Sequence, residues 1–525
     1  MDRKRGQSMK LLRSTATFGA LTLVSRVAGY ARDLVQSAVF GASAATDAFV
    51  IAYRIPNFLR RIFAEGSFQT AFVPVFTEYK ERGDPQALKD LLDHVAGMLC
   101  AVVLLVTAIG ILAAPLIAAL FAPGTLADPA RFELLTTLLR ITFPYLAFIS
   151  MTALAAAVLN SHGRFAVPAL TPVLHNLAMI AAMLTLPSLL GVPIHALAYG
   201  VLLAGAVQLI VQWVALVRLG VVPRLKFDRS HPGVRRIFAL MLPTIFGASV
   251  AQVNLLIGTV FASLLASGSQ TWLYLTDRLM EFPQGIVGAA LATVILPALS
   301  RSHATGDAER YSATIDWGLR IALLVALPAT IGLIVLAEPL NATLYQYGRF
   351  SAFDTQMAAL SLVALAVGLP GFMVAKVLAP AFFSRQDTRT PVRAALFTVA
   401  ANVALCAGIV TPLWLLGVEG AHAGIALATA LAGILNAWLL WRYLRRDGRV
   451  QWQPGWGRFG VRVGLACLAM SAAVLVARWQ VGSWGDLPTL LRIANLAWVV
   501  GLGVAVYALV LTALGFRPRD LRGPA

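Results

Sequence analysis

Six arginines stand inside or at the ends of long apolar runs: Arg26, Arg32, Arg54, Arg60, Arg61 and Arg278. An arginine near the centre of a bilayer costs roughly 2.5–3.5 kcal/mol on insertion scales, so such residues face a cavity or a partner. Five acids accompany them: Asp33, Asp47, Glu65, Asp277 and Glu281. Taken singly, each arginine has a plain alternative role, snorkelling to a headgroup or a structural ion pair. Arg60 and Arg61 sit near Glu65, and for one of them an internal salt bridge is as good a reading as substrate contact. Arg54 and Arg61 are two helical turns apart and share a face. Asp33 beside Arg32, and Asp277 beside Arg278, offer partial neutralisation, although adjacent helix positions point in different directions. As a set, six arginines against five acids leave a positive interior. A hydrated, net-positive cavity suits an anion, and the planar guanidinium fork suits phosphate in particular. Lys376 is a further candidate for lining the cavity, whereas Arg140, Arg320 and Arg492 read as interfacial.

The elements that must hold these charges are membrane helices. Of 525 residues, 59% are hydrophobic and 13% charged, half the charged fraction of about 25% found in soluble globular chains. That excludes a soluble enzyme. Apolar runs of about 20 residues fit a hydrocarbon core of about 30 Å, and the 42 Gly and 26 Pro are tolerated in such helices. The net charge of +18 reads as topology signal, not as a nucleic-acid surface. Cys100, Cys406 and Cys467 form neither a CxxC pair nor a disulfide framework. The basic N-terminus does not read as a cleavable signal peptide, because the apolar stretch after it is too long and carries Arg26 and Arg32.

Fourteen spans are predicted, near 11–40, 45–79, 91–121, 132–159, 167–190, 194–217, 237–266, 271–299, 311–337, 355–383, 391–413, 421–441, 459–479 and 488–515. The second is too long for one crossing and is expected to bend around Glu65-Gly66-Ser67. With the N-terminus placed in the cytoplasm, 29 basic residues fall in cytoplasmic segments and two, Arg131 and Arg349, in external loops; the positive-inside rule then places both termini in the cytoplasm. The segments Arg218–Arg236 and Arg442–Arg462 are basic enough to touch anionic headgroups, and topology explains them equally well.

An internal echo organises the spans. Arg54 matches Arg278 at an offset of 224, while Pro74 matches Pro297, Gly83-Asp84 matches Gly306-Asp307 and Pro168 matches Pro391 at 223. A nearly constant offset indicates duplication of a six-helix unit. Six is even, so the copies are parallel and related by an axis along the membrane normal. The predicted fold is thus all-α and polytopic: an N-terminal lobe at 1–219, a C-terminal lobe at 220–446, a central cavity, and two appended helices at 447–525. Two facing bundles can rock around a central site, which argues for transport. No GxxxxGK[ST] motor is present, and no HExxH or Cys/His cluster points to a metal; His162, His175, His195 and His422 stand isolated. No cofactor is expected, and the driving force falls to a monovalent cation gradient, the membrane potential or the substrate's own gradient.

The run SRVAGYARDLVQSAVFGASAATDAFVIAYRIPNFLRRIFAEGSFQTAFVPVF (Ser25–Phe76) resembles the MurJ (MviN) lipid II flippase family of bacteria, as do WLYLTDRLMEFPQGIVGAALATVILPALS (Trp272–Ser300) and KVLAPAFFSRQDTRTPV (Lys376–Val392). The family belongs to the multidrug/oligosaccharidyl-lipid/polysaccharide exporter group of paired six-helix bundles. The resemblance implies a flippase, not an enzyme, in the bacterial inner membrane. Its substrate is lipid II, the undecaprenyl-diphosphate-linked peptidoglycan precursor. The family's cavity arginines fall on Arg26, Arg32, Arg60 and Arg278, with Asp47 and Glu65 as important acids; Arg54 sits where relatives carry a basic residue. Substrate binding is therefore assigned to Arg26, Arg32, Arg54, Arg60 and Arg278. Ion pairing or gating is assigned to Asp33, Asp47, Arg61, Glu65, Asp277 and Glu281. Spans 13 and 14 would form a groove for the polyprenyl tail. A sodium site of the kind that uses an acid in span 7 is in doubt, since that span offers only Gln252 and Asn254. Expected partners are lipid II and membrane lipids, with cell-wall synthesis proteins open and no nucleic acid. The alternatives are a flippase for another polyprenyl-diphosphate sugar, an ion-coupled multidrug exporter, and a membrane glycosyltransferase or wall-synthesis scaffold.

Overall fold

The computed structural model describes residues 2–61, 67–448, 450–451 and 453–517. By its packing the chain divides into two compact units, Met1–Ser267 and Gly268–Ala525. Among the described residues, nine helices are long and apolar enough to cross a bilayer. A tenth crossing is added if the pair Ala352–Ala366 and Leu369–Phe383, bent by 42°, is one span.

In the first unit, α1 (Asp2–Phe40), α2 (Ala44–Arg60), α3 (Ser67–Glu81), α4 (Pro85–Leu112) and α5 (Ala114–Phe121) are followed by α6 (Pro129–Thr142) and α7 (Tyr145–Ser161). The unit is completed by α8 (Ala166–Thr185), α9 (His195–Leu219) and α10 (Pro232–Ser263). The bend expected in the second span around Glu65-Gly66-Ser67 falls at 62–66, outside the described residues. The starts of these helices are written locally. Ser43 Oγ accepts from Thr46 N at 3.2 Å to cap α2. Asp84 caps α4 from behind Pro85, accepting from Gln86 N and Ala87 N at 2.9 and 3.1 Å. Side-chain oxygens in this place satisfy amides that the helix itself cannot. Two apolar cores result. In one, Phe49, Ala52 and Ile55 of α2 pack with Leu135, Leu138 and Leu139 of α6. In the other, Phe68, Phe72 and Phe76 of α3 pack with Leu91 and Leu92 of α4 and with Val234, Ile237 and Met241 of α10. The packing boundary thus keeps α10 with the first unit, a different quantity from the sequence-repeat boundary at 219/220.

The second unit begins with α11 (Ser269–Ala304) and α12 (Ala308–Val335), continues through α13 (Ala337–Tyr345), α14 (Ala352–Ala366), α15 (Leu369–Phe383), α16 (Arg389–Leu415) and α17 (His422–Arg446), and ends with α18 (Trp456–Val481) and α19 (Thr489–Ala513). The Gly-Asp echo has a physical reason. Gly83 and Gly306 both adopt left-handed backbone, φ 75° and 70°, and each is followed by the Asp that caps the next helix; Asp307 accepts from Arg310 N at 2.9 Å. Glycine ends one helix without the Cβ penalty, and the aspartate starts another. Outward-facing leucines such as Leu104, Leu112, Leu468 and Leu490 stay exposed, as they must when the solvent is lipid.

Candidate anion-binding site

In the first unit, Arg26 is exposed on α1. Six residues on, Arg32 and Asp33 are both buried, 5% and 2% exposed. Arg32 Nε and Nη2 donate to Asp33 Oδ1 at 3.1 and 2.7 Å. Adjacent positions were expected to point apart, but the long arginine arm bridges the turn of about 100° between them. A buried pair of this kind brings little net charge with it.

Arg54 of α2, 7% exposed, donates Nη1 to Thr259 Oγ1 of α10 at 3.0 Å. Thr259 hands its own proton to Leu255 O at 3.0 Å, which leaves its lone pairs toward the guanidinium. The acceptor is neutral, so this bond orients the arginine without neutralising it. Arg60 donates Nε to Asn57 Oδ1 at 2.8 Å, and Arg61 is half-buried one residue beyond α2. Asp47 is buried in the first turn of α2, where the helix dipole favours a carboxylate. Glu65 lies outside the described residues, as do the side chains of Gln252 and Asn254.

In the second unit, α11 is held by its buried stripe. Trp272 Nε1 donates to Asp354 Oδ1 at 3.0 Å, and Asp354 Oδ2 closes a capping box with Ser351 at the head of α14. One turn on, Thr276 and Ser361 share a hydrogen bond of 2.9 Å. Tyr274, Arg278 and Glu281 fall about 200° round from that stripe. Arg278 donates Nη1 to Glu281 Oε2 at 2.9 Å, with side chains 31% and 59% exposed. It also donates Nε to Tyr274 Oη at 3.3 Å and rests its Cζ 5.5 Å over that ring. Asp277 is half-buried beside it. Lys376 of α15 donates Nζ to Gln284 O of α11 at 3.1 Å. The arginines therefore fall into two sets: Arg26, Arg32, Arg54, Arg60 and Arg61 in the first unit, Arg278 in the second.

Several polar groups escaped the sequence. Thr259 was invisible as a partner because a lone threonine in an apolar helix carries no signal. Gln208 and Gln212 of α9 donate to Thr171 O and Thr171 Oγ1 of α8 at 3.0 and 2.7 Å, and Asn176 Nδ2 donates to Ser25 O of α1 at 3.2 Å. Their i,i+4 spacing was the available clue. The connector at 220–231 is stitched to α4: Arg224 N donates to Asp93 Oδ1 at 2.8 Å and Lys226 Nζ to Asp90 Oδ1 at 2.7 Å. Asp90, His94 and His231 place ligand-type atoms within 4.8 Å of one another, a grouping hidden by the 136 residues between the histidines. The Asp90 hydrogen bond holds the Lys226 ammonium above its ordinary range. Ser230 holds the Asp228 carboxyl below its own, and burial pushes His231 below the usual imidazole range. Asp90 is thus already paired with Lys226, and with His231 Nε2 3.5 Å from its other oxygen the group ties the start of α10 to α4.

The family model described as lipid II flippase MurJ matches residues 36–493. The chain is 43% identical over 522 residues to the probable lipid II flippase MurJ of Vibrio cholerae serotype O1, covering 98% of each chain. It is 40% identical over 517 residues to the lipid II flippase MurJ of Burkholderia cenocepacia, covering 97% of this chain and 98% of that one. A solved structure of lipid II flippase MurJ in an inward closed conformation is similar with a TM-score of 0.77 at 24% identity, over 96% of this chain and 99% of that one. An inward-facing multidrug resistance transporter of the MATE family is similar with a TM-score of 0.67 at 14% identity, over 81% and 95%. At these identities the two solved structures speak for the fold alone.

Proposed function

Because the chain belongs to the MurJ family of lipid II flippases, we propose that it carries lipid II from the cytoplasmic to the periplasmic leaflet by alternating access. It is a multi-pass membrane transporter serving peptidoglycan synthesis, not an enzyme. The finer architecture belongs to the proposal: fourteen spans, two parallel six-helix repeats at 1–219 and 220–446, a tail-binding pair at 447–525, and both termini in the cytoplasm.

The observation that carries the binding role is the setting of Arg278. A carboxylate that it pairs with, Glu281, is more than half exposed, and pairs of that kind contribute about 0–1 kcal/mol. A diphosphate, with more charge and more acceptor oxygens, can displace it. The Tyr274 ring meanwhile keeps the guanidinium in place. Arg26, Arg54 and Arg60 extend the basic set, and Arg32 joins it paired with Asp33. Asp33, Asp47, Arg61, Glu65, Asp277 and Glu281 take the pairing and gating roles, and release of Glu281 from Arg278 is the natural trigger for closure. The fold shared with a multidrug exporter leaves that rival standing on architecture, but an arginine-lined site disfavours cationic drugs.

Outward movement of a diphosphate from a negative interior runs downhill by about 2.3 kcal/mol per charge per 100 mV. That drive makes a dedicated ion site unnecessary; unchanged lipid II export in cells whose potential has been collapsed would remove it from the scheme. The binding role is tested by depleting the protein and scoring lipid II accessibility at the outer leaflet. Arg278→Ala and Arg26→Ala are expected to fail to restore export while inserting normally. Full export by both variants would falsify the diphosphate assignment.

A further inference from the structure

The appended helices carry a second basic site. A cleft of about 520 Å³ opens in the second unit between α12, the N-terminal turns of α18 and Phe516 just beyond α19. Three arginines line it, Arg320, Arg458 and Arg462, against a single carboxylate, Asp316. That carboxylate is already committed. Its Oδ2 accepts from Arg320 Nε at 2.7 Å and its Oδ1 from Trp456 Nε1 at 2.6 Å. Arg320 is committed as well: Nη2 donates to Pro454 O at 2.9 Å, and its Cζ lies 5.2 and 5.8 Å over the Trp456 and Phe459 rings.

Arg458 and Arg462 differ from Arg320. They are one turn apart on α18, so they share a face. Arg458 is exposed and Arg462 half-buried. Among the described residues neither forms an ion pair; Arg462 Nη2 reaches toward Gly515, where α19 ends. Below them the wall is apolar, with Phe459 and Leu324 buried in one core cluster and Phe516 packed on it. Two guanidiniums without a carboxylate, at the end of a span and above an apolar wall, match one ligand chemistry. It is a phosphate ester whose charge meets the arginines and whose remainder runs down the span.

We infer that this cleft binds a phosphate ester through Arg458 and Arg462, the headgroup of an acidic phospholipid being the source its apolar wall fits. The site uses none of the arginines of α1, α2 and α11 and stands or falls independently of lipid II transport.

The test uses native mass spectrometry of the full chain released from detergent. One arm offers dioleoyl-phosphatidylglycerol against dioleoyl-phosphatidylcholine, and the other offers glycerol 3-phosphate. Preferential retention of phosphatidylglycerol is expected, weakened at least about tenfold by R458Q/R462Q and unchanged by R224Q/R229Q in the other basic segment. R458K/R462K, which keeps both charges and reports on folding, should retain the lipid within about threefold. Binding of glycerol 3-phosphate with the same arginine dependence, and no preference for the lipid, would assign the site to a soluble phosphate ester. Retention of both ligands by R458Q/R462Q at wild-type levels overturns the site, as does a loss in the lysine pair equal to that in the glutamine pair.

Discussion

Among the described residues, the first of two matched stretches contributes the helices Ala44–Arg60 and Ser67–Glu81, and the second is the 36-residue helix Ser269–Ala304. The two stretches are the strongest echo in the sequence, and each carries two prolines, Pro56 and Pro74 in one, Pro283 and Pro297 in the other. The matched arginines diverge. Arg54 is buried and directed at a neutral hydroxyl from another helix, while Arg278 is held by residues of its own helix and stays partly exposed. A position echoed in the sequence keeps its residue type while its surroundings differ.

The largest effect expected from this contrast is on transport by the lysine variants. Arg54→Lys keeps a charge that can still donate to the Thr259 hydroxyl, so lipid II export should stay within about threefold of wild type. Arg278→Lys loses the planar fork over Tyr274, and export should fall at least about tenfold. Equal losses in the two variants would erase the distinction. Next come the partners themselves. Thr259→Val strips a buried charged group of an acceptor and should cost about 1–3 kcal/mol in thermal unfolding of the purified protein. Glu281→Gln loosens an exposed pair and should cost about 0–1 kcal/mol. The reverse order would mean that Arg278, not Arg54, is the structural arginine. The smallest effect concerns the exits of the two stretches. Asp84 accepts from two amides and Asp307 from one, so Asp84→Ala should destabilise by about 1 kcal/mol and Asp307→Ala by about half that. Indistinguishable melting curves would show that the second amide bond at Asp84 adds nothing.

How much could be read in advance depended on how local each feature is. The Gly-Asp pairs were legible because a left-handed glycine and an N-cap act over four residues. The arginines of α1, α2 and α11 stood out one by one because charge in an apolar run is conspicuous. The Arg32–Asp33 pairing was offered by adjacency alone, and spacing rules counted against it only because they describe Cβ directions and not the reach of a long side chain. Asp90, His94 and His231 were missed because no spacing links the connector before α10 to α4.

By itself, then, the sequence determined an all-helical membrane chain, the starts of its helices and a surplus of positive charge, since periodicity, capping and composition act within a few residues. Tertiary structure alone decided that Thr259, 205 residues away, receives Arg54, and that Asp316 is spent on Arg320 and Trp456, leaving Arg458 and Arg462 without it. Such pairings are set by which helix faces pack together. Packing is a property of the whole unit, and no window of sequence contains it.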